Sequence, residues 1–205
     1  ALVGENGMVI DLSKWSRPAG YDIWVRSTLQ GNVNHDPDCV GADGGITVKA
    51  TGDDRALVCF GGRFNGSTLT GGILAEDGAI VAATTSGLEG QTLTLQPGSR
   101  FRPYNTTTIM IGNLTVGEAG ATKAVAFDGS NDTTGYGVVV SDSLSILSPV
   151  KFSVTQGWNY DSALSSGTYT ALVYKASCSV DPSLFRLPAN APSGATPSAD
   201  EVTLT

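Results

Sequence analysis

The chain has little of the chemistry on which most enzymes and nucleic-acid-binding proteins depend. It contains one histidine, His35, so a catalytic or metal site that needs several histidines is excluded. Only 15% of its 205 residues are charged, and 12 basic against 19 acidic residues give a net charge of −7. Because nucleic-acid affinity depends on clustered Lys and Arg, this balance argues against a DNA or RNA partner.

Sequence motifs of catalysis are missing as well. No GxSxG, HExxH or phosphate-loop pattern occurs, and the Gly-x-Gly at Gly135–Gly137 precedes an apolar run with strand character rather than a helix. Acid pairs such as Glu76 and Asp77 fall in turns. No apolar run reaches the roughly 18 residues of a membrane-spanning helix. We therefore predict a protein that is not an enzyme, uses no cofactor and does not span a membrane.

Cysteine is too scarce for a disulfide framework. Cys39, Cys59 and Cys178 are an odd number without CxxC spacing, which favours reduced structural thiols. The polar segment Gly31–Gly45 carries three Asp residues with His35 and Cys39, but it lacks the distal Glu and the strict spacing of a calcium loop. We interpret this segment as a solvated loop and predict no metal site.

What is abundant points to an all-β chain. The 26 glycines, the many Thr and Val residues and the absence of helical apolar spacing favour strands joined by turns. The pattern is clearest in Lys123–Tyr160. There it predicts a strand at 124–127, a turn at Asp128-Gly129, a strand from Gly137 to Val140 and a third run at Leu144–Val154.

An earlier stretch, Arg55–Tyr104, repeats the order of basic residue, apolar run, aromatic residue and turn. Either an internal duplication or the general composition of Gly-rich β proteins explains the echo. Four segments follow from this division: entry strands and an arm at 1–50, a first β unit at 51–108, a second β unit at 109–180, and a Pro-rich tail at 181–205.

Both ends of the chain are predicted to act as extended arms. The tail beyond Cys178 has too little apolar content to fold alone, and an arm can add a strand to the sheet edge of a partner. The apolar and aromatic residues of the two ends are the candidate partner contacts: Leu2, Val3, Met8, Ile10, Trp15, Trp24, Leu184, Phe185, Leu187, Val202 and Leu204.

The key stretch resembles the phage lambda-type head decoration proteins. The resemblance rests on the triplet Ile109–Ile111, the run Lys123–Ser130 with its Asp-Gly pair, the Gly-led strand at Gly137–Val139, and the later segments Val150–Phe152 and Gly157–Tyr160. It covers about a quarter of the chain. The segments 1–50 and 181–205 have no counterpart in that family.

The resemblance implies a compact β-rich fold and a structural role in the virion. It implies a protein made in the host cytoplasm that sits on the outside of an expanded icosahedral head, binds the major capsid protein and stabilises the shell. It also implies a homotrimer, although a doubled unit would let one chain replace part of a trimer. Such a role needs no reaction, since binding only the assembled shell stabilises it by mass action.

Two other functions fit the composition. A secreted or surface β-sandwich that binds carbohydrate, as an adhesin or lectin does, would use loops with aromatic and polar side chains such as the segment Trp158–Asp161. A capsid or spike subunit with a jelly-roll fold is the third possibility.

Overall fold

The computed structural model describes residues 7–11, 45–49, 57–61, 69, 71–103, 109–130, 138–155, 172–174, 178 and 180–186. The all-β prediction is confirmed: these residues form thirteen strands and one 3₁₀ turn at Pro182–Leu184. No helix in these ranges has the length and hydropathy needed to cross a bilayer.

The strands make two sheets, and every pair of neighbouring strands is parallel. The first sheet has the order β1-β2-β4-β6-β8-β10-β12. Its strands are β1 (Met8–Ile10), β2 (Ile46–Val48), β4 (Ile73–Ala75), β6 (Leu88–Leu95), β8 (Ile109–Val116), β10 (Val138–Ile146) and β12 (Leu172–Tyr174).

The second sheet has the order β13-β11-β9-β7-β5-β3. Its strands are β3 (Val58–Phe60), β5 (Ile80–Ala83), β7 (Arg100–Pro103), β9 (Val125–Ser130), β11 (Val150–Thr155) and β13 (Phe185–Arg186). From β3 onward, successive strands alternate between the two sheets. The chain therefore winds as a two-sheet parallel β-solenoid, in which paired residues of neighbouring strands are between 20 residues apart (Ile73 and Leu93) and 38 residues apart (Met8 and Ile46).

Side chains alternate along each strand, and the apolar ones that point inward fill the space between the two sheets. In the first sheet, Ile73, Leu93, Leu114 and Leu144 pair in register and point inward. The second sheet contributes a row of aromatic rings whose centroids are 5.9 Å apart between Phe101 and Phe127, 6.0 Å between Phe127 and Phe152, and 5.4 Å between Phe152 and Phe185. These ladders of like side chains form one continuous core.

Tight turns join the first sheet to the second along one edge of the solenoid. Two of these turns lie at Asp77-Gly78 and Gly117–Gly120. Main-chain bonds tie neighbouring turns together: Gly78 N–H donates to Gly98 O at 3.2 Å, and Gly98 N–H donates to Ala124 O at 3.0 Å. The turns therefore stack coil on coil, as the strands do.

The predicted turn at Asp128-Gly129 is wrong, because both residues lie inside β9. A hairpin there would make β9 and β10 antiparallel neighbours, whereas they belong to different sheets. The polar residue is accommodated because its carboxylate bonds Arg102 on β7. The strand after Gly137 is present as β10.

Two further segments differ from their predicted form. The run at Leu144–Val154 is the end of β10 and most of β11, with a corner at Leu147–Pro149 that moves the chain from one sheet to the other. The segment Arg100–Pro103, near the end of the echoed stretch Arg55–Tyr104, is strand β7 in the interior of the second sheet.

The repeating unit of the structure is the single coil. Both sheets run unbroken past residue 108, the predicted boundary between the first and second β units, because β6 pairs with β8 and β7 pairs with β9. The echo between Arg55–Tyr104 and Lys123–Tyr160 reflects coils that share inward-facing positions: Val58, Val81, Phe101, Phe127 and Phe152 stack in register.

Candidate functional site

Since the two sheets enclose the core, each turns its other face outward, and these two outer faces carry the polar side chains of interest. On the first sheet, the register places hydroxyl and amide side chains of the neighbouring strands β6, β8 and β10 side by side. We call these six residues the hydroxyl face: Thr92, Thr94, Asn113, Thr115, Ser143 and Ser145.

The hydroxyl face consists of two columns that differ in their hydrogen bonding. In one column, Asn113 Nδ2 donates to Thr92 Oγ1 at 3.4 Å, and Ser143 Oγ donates to Asn113 Oδ1 at 2.6 Å. These two bonds join β6, β8 and β10, and each engages one donor and one acceptor of the column. Such cross-strand bonds also stabilise the sheet itself.

The other column is Thr94, Thr115 and Ser145, which are direct neighbours in the register. Within the described part of the chain, no hydrogen bond engages their hydroxyl groups. Thr94 and Thr115 are half-buried and Ser145 is exposed. Neighbouring strands lie about 4.8 Å apart, so this column presents a regular line of hydroxyl groups to the outside.

The outer face of the second sheet has a different chemistry. A buried apolar cluster lies on β3 and β5 and includes the residue directly before β3; its members are Leu57, Cys59, Ile80 and Ala82. Next to it, on β7 and β9, stand Arg102 and Asp128, each with only 6% of its surface exposed. Two charged side chains are therefore buried on this face.

Arg102 and Asp128 form a buried ion pair. The Nε of Arg102 donates to Asp128 Oδ2 at 3.1 Å, and its Nη2 lies 3.1 Å from the same oxygen. Arg100 approaches that oxygen at 3.8 Å with a side chain that is 36% exposed. The other oxygen, Oδ1, is buried and has no hydrogen-bond partner in the described ranges. Burial raises the pKa of the Asp128 carboxyl, and the charges of Arg102 and Arg100 oppose that rise.

Among the described residues there is no group of three or more His, Cys, Asp or Glu side chains that could hold a metal. The loop 31–45, for which a metal site was considered, lies outside the described residues except for Gly45, and Cys39 lies there with it. Cys59 is buried on β3, and Cys178 is half-buried.

The predicted partner contacts are only partly within the described ranges. Met8 and Ile10 pack against the core, and their neighbour Val9 is 59% exposed. Leu184 is half-buried, while Phe185 is 7% exposed and lies against Phe152, which leaves little of its ring for an outside partner. The remaining predicted contacts lie outside the described residues: Leu2, Val3, Trp15, Trp24, Leu187, Val202 and Leu204.

Neither outer face was identified in the sequence. The signal was present as short alternating motifs, Thr92-Leu93-Thr94, Asn113-Leu114-Thr115 and Ser143-Leu144-Ser145. Each motif has one buried Leu between two polar residues, and their alignment depends on the solenoid register. No family model, curated protein or solved structure matches the chain. Function is therefore inferred from the two outer faces.

Proposed function

We propose that this protein is a non-enzymatic binding protein that lies along a neutral polysaccharide through its hydroxyl face. The observation that supports this most is the column Thr94, Thr115 and Ser145, whose hydroxyl groups no described residue engages. Each hydroxyl both donates and accepts a hydrogen bond, which suits a polymer that itself presents many hydroxyl groups.

The electrical neutrality of the hydroxyl face sets the class of ligand. None of its six side chains carries a charge, so an ionic polymer would find no opposite charge to pair with there. Individual hydroxyl contacts are weak, but a polymer that follows the column engages several at once and gains from multivalency. This function corresponds to the surface carbohydrate-binding protein that the composition also allows.

A panel of insoluble neutral polysaccharides tests this proposal. The protein is mixed with cellulose, chitin, xylan and starch, and the bound fraction is measured after sedimentation. The variant Thr94→Val/Thr115→Val keeps β-branched side chains and removes two hydroxyl groups. Thr85→Val is the matched control, because Thr85 is exposed in the turn before β6, away from the face.

We expect the wild type to be retained on at least one polymer. The double variant should lose this retention, and the control Thr85→Val should be retained as well as the wild type. Retention on no polymer, or equal retention by all three proteins, would exclude the hydroxyl face as the binding surface.

The second candidate function is the virion role implied by the resemblance to head decoration proteins. The observation in its favour is that the start of the C-terminal tail adds a strand: β13 pairs with β11 in parallel. A segment that adds a strand within its own chain can in principle do so on a neighbouring subunit. In this role the protein binds the major capsid protein on the outer capsid surface as a homotrimer.

Light scattering of the purified protein, followed by mixing with expanded empty heads, tests the virion role. A trimer that binds heads at a saturable copy number supports it. Deleting 187–205 keeps β13 and removes the rest of the tail. Retention on heads that is unchanged by this deletion and by deletion of 1–6 would exclude the terminal segments as capsid contacts.

A further inference from the structure

The outer face of the second sheet carries a line of positive charge in an otherwise acidic chain. Register places Arg100, Ala126, Lys151 and Arg186 side by side across β7, β9, β11 and β13. Lys151 and Arg186 are exposed, and the Arg100 side chain is 36% exposed. We call Arg100, Lys151 and Arg186 the basic column. The only acid on the described part of this face, Asp128, is buried beside Arg102.

The basic column has the opposite sign of charge from the protein as a whole. The net charge of the chain is −7. Of the other basic residues that the structure describes, Arg102 is buried on this face and paired with Asp128, whereas Lys49 after β2 and Lys123 in the turn before β9 lie elsewhere. Of the other described acids, Asp181 precedes β13 and its carboxylate accepts a hydrogen bond from Ser183 N–H at 2.9 Å, while Glu76 and Asp77, for example, lie in the turn after β4. The basic column is therefore a local positive field on a negative protein.

Lys151 and Arg186 are direct neighbours in the register, at a strand spacing of about 4.8 Å. Like charges in this position destabilise a sheet, and no acidic side chain of the described ranges lies within ion-pair distance of either. An anion held between the two would relieve this repulsion.

The Arg186 guanidinium is also held in place. Its Nη1 donates to the carbonyl oxygens of Ser183 and Phe185, which leaves Nε and Nη2 without a partner in the described ranges. A guanidinium fixed in this way can form two parallel bonds to a carboxylate. A carboxylate therefore fits the available donors better than a neutral hydroxyl group does.

We propose that the basic column binds a linear polysaccharide that carries carboxylates, that is, a polyuronate. The column is a line rather than a pocket, about three strand spacings long, so a polymer with repeated carboxylates can follow it. Nucleic acid fits less well, because the described outer face of this sheet shows two exposed cations, one partly exposed cation and no aromatic side chain on which bases could stack. The proposal does not rest on the hydroxyl face, which lies on the opposite side of the solenoid.

The test is titration of the full chain with de-esterified polygalacturonate, and with the same polymer after full methyl esterification, at low and high salt. The variant Arg100→Gln/Lys151→Gln removes two charges from the column. Lys49→Gln/Lys123→Gln is the matched control, since it changes net charge equally at positions off the face. Lys151→Gln alone serves if the double variant does not fold, and thermal unfolding checks each protein.

We expect the de-esterified polymer to bind with an affinity that falls with salt. Binding should weaken at least about tenfold in the column variant, and remain within about twofold in the control, because charge-assisted bonds contribute on this scale. Equal weakening in both variants, equal binding of the esterified polymer, or no binding would overturn the proposal. Tighter binding of heparin, duplex DNA or anionic vesicles would reassign the column to another anion. The Thr94→Val/Thr115→Val variant should bind polygalacturonate normally, which separates this test from that of the hydroxyl face.

Discussion

Arg102 and Asp128 are paired across two neighbouring strands of the second sheet, with Arg102 Nε 3.1 Å from Asp128 Oδ2 and both side chains almost fully buried. A buried pair of this kind is costly to form and still more costly to break, since the remaining charge loses its partner. The pair explains why an Asp-Gly sequence that is typical of turns continues as a strand.

Arg102→Met should lower the free energy of unfolding by about 3–5 kcal/mol at pH 7, because it leaves the Asp128 carboxylate buried without its main partner. Urea unfolding followed by circular dichroism measures this. Arg100→Met is the control: its side chain is partly exposed and 3.8 Å from the carboxylate, so its loss should cost no more than about 1 kcal/mol. Equal effects of the two substitutions would show that the Arg102 contact does not hold β7 to β9.

The free energy of unfolding should depend on pH in part through the titration of Asp128. Its pKa is raised in the folded state, so the folded protein binds this proton more tightly than the unfolded chain does. The contribution of Asp128 to stability is therefore most favourable below the unfolded pKa of about 3.9. It falls as pH rises from there through the folded-state pKa, and is constant above it.

Asp128→Asn removes this titration. The difference in unfolding free energy between wild type and Asp128→Asn, measured at intervals from pH 3 to pH 7, should shift against the wild type as pH rises. A difference that does not change with pH, or that shifts in favour of the wild type, contradicts the raised pKa.

Because the turns stack on one another, alanine substitutions at two glycines of the same turn should lower stability by different amounts. Gly117 and Gly120 have φ of 79° and 80°, so an alanine at either is strained by about 1–2 kcal/mol. At Gly117 the new Cβ would also overlap Ser148 Oγ and lie 2.5 Å from Ser148 Cβ, whereas at Gly120 it meets nothing within 4 Å. Gly117→Ala should therefore cost about 1–3 kcal/mol more than Gly120→Ala. Equal melting temperatures would mean that the corners of adjacent coils are not packed.

Substitution of Phe185 tests whether this residue belongs to the core or to a partner-binding arm. Its ring extends the row formed by Phe101, Phe127 and Phe152, so Phe185→Ala should lower stability by about 3–5 kcal/mol. The half-buried neighbour Leu184 provides the comparison, with a smaller expected loss for Leu184→Ala. Unchanged unfolding of Phe185→Ala together with lost binding to a partner would assign the ring to an interface instead.

Local patterns in the sequence were enough for the strand content and for several turns. Runs such as Ile109–Ile111 and Gln91–Leu95 are strands because β-branched and alternating residues suit a half-buried sheet. The parallel arrangement was missed, because Asp128-Gly129 has the local chemistry of a hairpin turn and only its long-range contact with Arg102 shows otherwise. The outer faces were missed for the same reason: Thr94 and Thr115 become neighbours only once coils of unequal length are placed in register.

The hydroxyl face is tested most directly by a binding isotherm on the polysaccharide that retains the protein best. Wild type, Thr94→Val/Thr115→Val and Thr85→Val are compared at one temperature, after thermal unfolding has shown that all three are folded. We predict about a tenfold or greater rise in the dissociation constant for the double variant, equivalent to about 1.4 kcal/mol, and none for Thr85→Val. An isotherm for the double variant that overlays the wild type would contradict the account and remove the hydroxyl face from the function of this protein.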